Sequence, residues 1–220
     1  MTSEPKTSLP KSSVIVAPHE RLVLALSELP SCLVAFSGGV DSAVVAKAAQ
    51  LALGARAIAV TGVSASLAAG ELEAAERIAL AIGIRHETVA TEELTDPEYL
   101  ENRPNRCWHC KDELYRQLES LAERWDCDWI VNGANADDLT DFRPGLWAAD
   151  EHRVRSPLAE CGIDKSTVRQ IARQWQLEVW DKPATPCLSS RVVYGLEITP
   201  ERLERIDRAE QMLRELGLST

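Results

Sequence analysis

No apolar run in these 220 residues approaches the roughly 20 needed to cross a bilayer as a helix, and Met1 to Pro18 holds no signal-peptide core. A soluble, cytoplasmic protein with no membrane partner is expected. Positive charge is also short: 24 Lys and Arg against 34 Asp and Glu leave a formal net charge of -10. An acidic surface disfavours a sequence-independent grip on phosphate backbones, so no nucleic-acid partner is expected. Six cysteines are too few for a disulfide scaffold, and in a reducing compartment thiols serve packing, metal binding or chemistry. No internal repeat is evident.

With 45% apolar residue types, the chain can bury the core of one principal domain. Residues 1–17 are rich in Ser, Thr, Pro and Lys and are expected to form a disordered arm. His19 to Leu29 then has helical apolar spacing and closes at Pro30. Short apolar runs alternate with helical patterns from there on. Strands are expected at Cys32 to Phe36, Ala57 to Thr61, His86 to Ala90 and Trp129 to Asn132, with a further one at Val154 to Leu158. Helices are expected at Asp41 to Leu53, Leu67 to Ile82, Lys111 to Trp125, Lys165 to Gln176 and Pro200 to Leu216. The last would turn Leu203, Ile206, Met212, Leu213 and Leu216 inward. This alternation predicts an α/β fold with a doubly wound parallel sheet.

Ser37-Gly38-Gly39-Val40-Asp41-Ser42 lies between the first strand and its helix. Glycines there let the backbone curl, and the exposed N–H groups of a helix N-terminus face an anion. The Lys of GxxxxGK[ST] is missing, and so is GxGxxG, which leaves neither a P-loop kinase nor a dinucleotide fold. The spacing resembles the PP-loop of ATP pyrophosphatases, which split ATP between its α and β phosphates. That resemblance implies pyrophosphate on the glycine loop and Asp41 near Mg2+. A tight turn capped by Ser37 is the plain alternative.

Cys107-Trp108-His109-Cys110 sets two thiols three apart just before the expected helix at Lys111. The spacing suits one metal or one cluster edge, yet there is no second CxxC to close a zinc site. Cys187 supplies a third thiolate if the fold brings it there. Three thiolates on a cubane leave one iron open for sulfide. Cys32, Cys127 and Cys161 read as packing residues.

Asn132-Gly133-Ala134-Asn135-Ala136-Asp137-Asp138-Leu139, Phe142-Arg143-Pro144-Gly145 and Asp181 to Arg191 follow in that order. Together with the PP-loop they resemble LarE-type sulfur transferases from about residue 18 to 217. The resemblance implies that ATP adenylates the carboxylates of pyridinium-3,5-biscarboxylic acid mononucleotide. Sulfur then displaces AMP to give the thiocarboxylates of the nickel-pincer nucleotide of lactate racemase. One version of the family consumes a cysteine matching Cys187; another carries three cysteines and a [4Fe-4S] cluster, and Cys107 and Cys110 place this chain in the second. Cys107, Cys110 and Cys187 are then the cluster ligands, and the sulfide donor stays unnamed.

The resemblance assigns Ser37, Gly38, Gly39, Ser42, Gly133, Asn135 and Asp138 to the nucleotide, with Asp138 a second Mg2+ candidate. Ser190 and Arg191 are candidates for a substrate phosphate and Trp108 for stacking; Glu210 joins Cys187 and Asp41 as an acidic catalytic candidate. A catalytic domain over residues 18–195 and a helical segment over 196–220 are expected. The family continues past that helix, which implies that some substrate-phosphate ligands and oligomer contacts lie there; a homo-oligomer is expected. Two rivals are a PP-loop tRNA thiolase and a non-catalytic nucleotide or cluster carrier.

Overall fold

The computed structural model describes residues 16–218, so most of the expected N-terminal arm lies outside the described residues. The chain runs through α1 (Pro18–Ser27), β1 (Cys32–Ala35), α2 (Val40–Leu53), β2 (Ala57–Val63), α3 (Glu71–Ile82) and β3 (Arg85–Ala90). It continues with α4 (Pro97–Leu100), α5 (Arg106–Arg124), β4 (Trp129–Val131), α6 (Pro144–Glu151), α7 (Pro157–Glu160), α8 (Lys165–Gln174) and α9 (Pro200–Glu215). Among the described residues no helix is long and apolar enough to cross a membrane.

The four strands among the described residues are all parallel, in the order β3-β2-β1-β4. Helices cover both faces, as the alternation predicts, and β1 shows why. Its side chains alternate, so Val34 joins α1, α2, α3 and α8 on one face while Leu33 joins α5 and α6 on the other. Central helix α2 is Ala- and Val-rich and buried on most sides, the pattern of a helix enclosed by neighbours. A third cluster, Ala68, Tyr99, Leu188, Val192, Ile198 and Leu203, seats the 187–198 loop and the start of α9 on the body.

Several boundaries differ from expectation. Val154 to Leu158 is not a strand: Arg155 alone bridges to Val131, and Pro157, whose fixed φ suits a first helical turn, opens α7. Helix α3 begins at Glu71, because Gly70 takes a left-handed φ of +84° and Ala68 turns into the third cluster. The Cys107/Cys110 pair is not ahead of a helix but within the start of α5. In α9 the inward set shrinks to Leu203 and Ile206; Met212 and Leu216 stand 64% and 74% exposed, because the last turn of the helix runs past the body. Buried Glu210 takes the inward position farther along.

Candidate active site

The strand order fixes where a ligand can sit. The chain steps from β1 outward to β2 and β3, then returns to place β4 on the other side of β1. The loops leaving β1 and β4 therefore part at their carboxyl ends, the switch point where α/β sheets open a crevice. Residues 36–42 form one lip and residues 132–138 the other. A cavity of about 570 Å³ lies between them, reached by Ser37, Asp41, Ser42, Gly133 and Asp138.

The first lip is held by its own hydroxyls. Ser42 Oγ donates to the Gly39 carbonyl at 3.1 Å, accepts from the Ser37 amide at 3.2 Å and meets Ser37 Oγ at 3.2 Å. Gly39, rather than Ser37, is the N-cap of α2, and no side chain covers that end, which leaves the helix amides to an anion. Gly38 has a φ of +68°, and a Cβ there would come within 3.1 Å of Ala75. The second lip presses directly on the first: a Cβ on Gly133 would stand 2.8 Å from the Ser42 nitrogen. Both glycines are thus required by close approach.

Asp41 and Asp138 face the same cavity but are already partnered. Asp41 pairs with Lys165, at the start of α8, and accepts from Asn135 Nδ2 at 3.1 Å. Asp138 caps the Asn135 amide at 3.0 Å and pairs with Arg143 at 2.9 Å. Hard carboxylate oxygens at a phosphate cavity are the donor type Mg2+ takes alongside substrate phosphates. Lys165, which sequence reading passed over, also borders a smaller cavity of about 190 Å³ on the outer side of the loop, with Lys182. Its only signal in the sequence was a basic residue opening a helix whose N-cap is Asp164.

The thiols gather at the other end. Cys107 lines the nucleotide-sized cavity, while Cys110 and Cys187 line an adjoining chamber of about 150 Å³. The two spaces share Ala35, Ser37 and Lys111 as their wall. Burial pushes the Cys110 thiol up to about 12, with Lys111 pulling it down and Glu93, Cys187 and Cys107 pushing it up. For the Lys111 ammonium, burial acts downward, but Tyr115 and all three cysteines outweigh it and hold its pKa above the ordinary value. No three His, Cys, Asp or Glu among the described residues gather closely enough for a single metal ion.

A buried polar clamp fixes the Cys187 loop. Tyr99 hydroxyl meets Ser189 Oγ at 2.6 Å, and Arg106 donates to the Ser189 carbonyl at 2.8 Å and to Asn102 Oδ1 at 2.7 Å. Asn102 Nδ2 in turn donates to the carbonyls of Val192, Val193 and Leu196. None of Tyr99, Asn102 or Arg106 stood out in the sequence, since their importance comes from burial.

Other candidates lie apart from the cavities. Trp108 packs in the α5/α6 cluster and donates to Glu151 at 3.2 Å. Ser190 Oγ donates to the Cys187 carbonyl at 2.6 Å, and Arg191 Nε donates to Glu210 at 2.6 Å. Ser190, Arg191 and Glu210 thus form a connected set outside the lining of both spaces. Cys32 is buried in β1, where burial raises its thiol to about 12.

Comparison with known proteins follows the same lines. The asparagine synthase family model matches residues 25–122. Over 200 residues the chain is 34% identical to the pyridinium-3,5-bisthiocarboxylic acid mononucleotide synthase of Lactiplantibacillus plantarum, covering 90% of this chain and 72% of that protein. It is 52% identical over 198 residues to an uncharacterized protein of Synechocystis sp., covering 90% and 74%. A 35% identity over 115 residues links it to an uncharacterized protein of Methanocaldococcus jannaschii, covering 52% and 45%.

Proposed function

We propose, given that this chain belongs to the LarE-type family of PP-loop sulfur transferases, that it adenylates the carboxylates of pyridinium-3,5-biscarboxylic acid mononucleotide and replaces their activated oxygen with sulfur. The product would serve nickel-pincer nucleotide synthesis. The observation that carries this reading is the shared wall: the phosphate crevice and the thiol chamber meet at Ala35, Ser37 and Lys111.

In this reading the amides at the start of α2 hold the pyrophosphate, and Asp41 and Asp138 hold Mg2+ with the phosphates, releasing Lys165 and Arg143 toward the nucleotide charge. The substrate carboxylate attacks the α-phosphorus, and the bond to pyrophosphate breaks with its electron pair. Lys111 faces the acyl adenylate from the thiol side. Sulfur at the sulfide oxidation level then adds to the acyl carbon, the C–O bond breaks, and AMP leaves with the pair, so no electron carrier is needed. Cys107, Cys110 and Cys187 would hold a [4Fe-4S] cluster, which when bound supplies an open iron for sulfur. Arg106 supports an anionic group there, since it reaches Cys107 Sγ at 3.9 Å while its strong bonds go to neutral acceptors.

The test is anaerobic turnover with Mg-ATP, sulfide and the pyridinium dicarboxylate. Pyrophosphate, AMP and a thiocarboxylate by mass spectrometry are expected. Pyrophosphate release with tRNA instead, joined to tight and salt-sensitive tRNA binding, would overturn the assignment in favour of an RNA thiolase.

A further inference from the structure

We propose that the small chamber beside the nucleotide crevice is a binding site for hydrosulfide, held between Lys111 and the free carboxylate oxygen of Glu93. The inference rests on the sulfur-transfer reading and names what would hold the inorganic sulfur. It requires no particular occupant on the three thiols.

Glu93 follows β3 in a short 3₁₀ turn and is only 3% exposed. Its Oε1 accepts from Ser64 Oγ at 2.5 Å and from Ser66 Oγ at 2.8 Å, and Ser66 is tied onward to the Tyr99 hydroxyl at 3.0 Å. That oxygen is fully used and the carboxylate cannot turn. Its Oε2 is buried without a partner. A buried acceptor lacking a donor is unfavourable, more so when charged, so a fold that keeps one implies a donor from elsewhere. The residue lines the same chamber of about 150 Å³ as Ser64, Ser66, Cys110, Lys111 and Cys187.

Lys111 brings the opposite requirement. The lysine ion pairs among the described residues are those of Lys165 and Lys182, so the Lys111 ammonium has no carboxylate, Glu93 included, within ion-pair distance. The guest must therefore be small, present negative charge to an ammonium and offer one hydrogen to a carboxylate oxygen. Hydrosulfide meets all three demands, and the thiols around it suit a soft, polarisable atom. Chloride, the abundant competitor, can satisfy Lys111 but has no hydrogen to offer Glu93. The free oxygen thus acts as the selecting element, by leaving the wrong anion facing an acceptor.

The chamber also lies in the right place. Sulfur held there is separated from the phosphate crevice only by the side chains of the common wall, and Lys111 reaches both spaces. An acyl adenylate in the crevice and a sulfur anion in the chamber would then share one cation.

The test is anaerobic titration calorimetry of the full chain with sodium hydrosulfide at mildly alkaline pH, repeated in sodium chloride and sodium bromide. Saturable binding is expected for the wild type, with little competition by halide. Glu93→Gln keeps an oxygen for Ser64 and Ser66 but turns the free acceptor into an N–H donor. It should weaken hydrosulfide about tenfold and make chloride a competitor, a gain that simple damage to the fold would not produce. Lys111→Met is the second variant, for the case in which Glu93→Gln does not fold; it should lose hydrosulfide about tenfold without gaining chloride. Unsaturable binding by the wild type, or equal hydrosulfide affinity in the wild type and both variants, overturns the proposal. Thiocarboxylate formation in the same preparation reports on the function separately. If it proceeds while the variants bind like the wild type, the chamber falls and the function stands; if hydrosulfide binds as expected but no thiocarboxylate forms, the function falls and takes the role of the chamber with it.

Discussion

Substituting Gly133 by alanine tests the geometry of the crevice most directly. The added Cβ would stand 2.8 Å from the Ser42 nitrogen and 3.1 Å from the Asp41 carbonyl carbon, and all of these neighbours are backbone. No side chain can swing away, so the β4 loop must retreat from the start of α2. Overpacking of this kind costs about 1–3 kcal/mol. A loss of about 2 kcal/mol in a domain of this size lowers the melting temperature by roughly 4–8 °C. The same retreat carries Asn135 and Asp138 away from Asp41, and ATP affinity should fall about tenfold for a displacement well under 1 Å. Gly39→Ala is the control, because its Cβ meets only the Ser37 hydroxyl at 3.4 Å and its φ of -81° is open to any residue. It should melt within about 2 °C of the wild type. Differential scanning calorimetry and ATP titration read both effects, and a Gly133→Ala chain that melts and binds like the wild type would refute the close packing of the two lips.

Lys165→Met removes the charge paired with Asp41 and should slow pyrophosphate release at least tenfold by stopped-flow assay, in line with the roughly 10²–10³ seen for single charge-stabilising groups. His152 is held above the ordinary histidine pKa: burial opposes the charge, but hydrogen bonds to Asp112 at 2.9 Å and Glu119 at 3.0 Å outweigh it. A raised folded-state pKa gives stability that is complete below the unfolded value of about 6.5 and fades as pH rises through the folded value. Urea denaturation of His152→Gln should therefore show a larger loss, by up to about 1 kcal/mol, at about pH 5.5 than at about pH 8.5, and the reverse order would refute the assignment. In the metal-free chain, timed alkylation with iodoacetamide and peptide mass mapping should label exposed Cys107 and Cys187 at least about tenfold faster than Cys110, whose thiol lies at about 12.

Much of the phosphate end was legible because its signals are local. The apolar run ending at Phe36, the two glycines and Asp41 lie within a few residues, and the strand-turn-helix that they imply is what forms. The NGANADD stretch carried its own caps, Asn135 to the Asp137 amide and Asp138 to the Asn135 amide. The thiol end was legible only in part. The Cys107/Cys110 spacing was visible, but its place inside α5 was not, because the start of that helix has no side-chain cap to mark it. Lys111, Lys165, Glu93 and Arg106 could not be picked out, since each looks like an ordinary surface charge until folding removes its partners or its solvent. Met212 and Leu216 misled in the opposite sense: helical periodicity records which face is apolar, not whether anything covers it.

The net charge of -10 and the demand for a polyanionic nucleotide are reconciled by where the cations lie. Lys111, Arg143, Lys165 and Lys182 all border the crevice or the spaces adjoining it, on four different loops and helices. A sum over the sequence averages them away, whereas a concave site with partly desolvated walls concentrates their field on whatever enters. Lys165 and Lys182 are each matched by one acid, Asp41 and Glu71, and Arg143 by two, Asp138 and Asp141. Each pair can re-form around a phosphate and Mg2+ without creating an unpaired buried charge, so nucleotide binding at this end is an exchange of partners. Among the described residues Lys111 has no such acid to give up. Its positive charge is therefore available before anything binds, and it stands on the wall that the phosphate crevice shares with the thiol chamber.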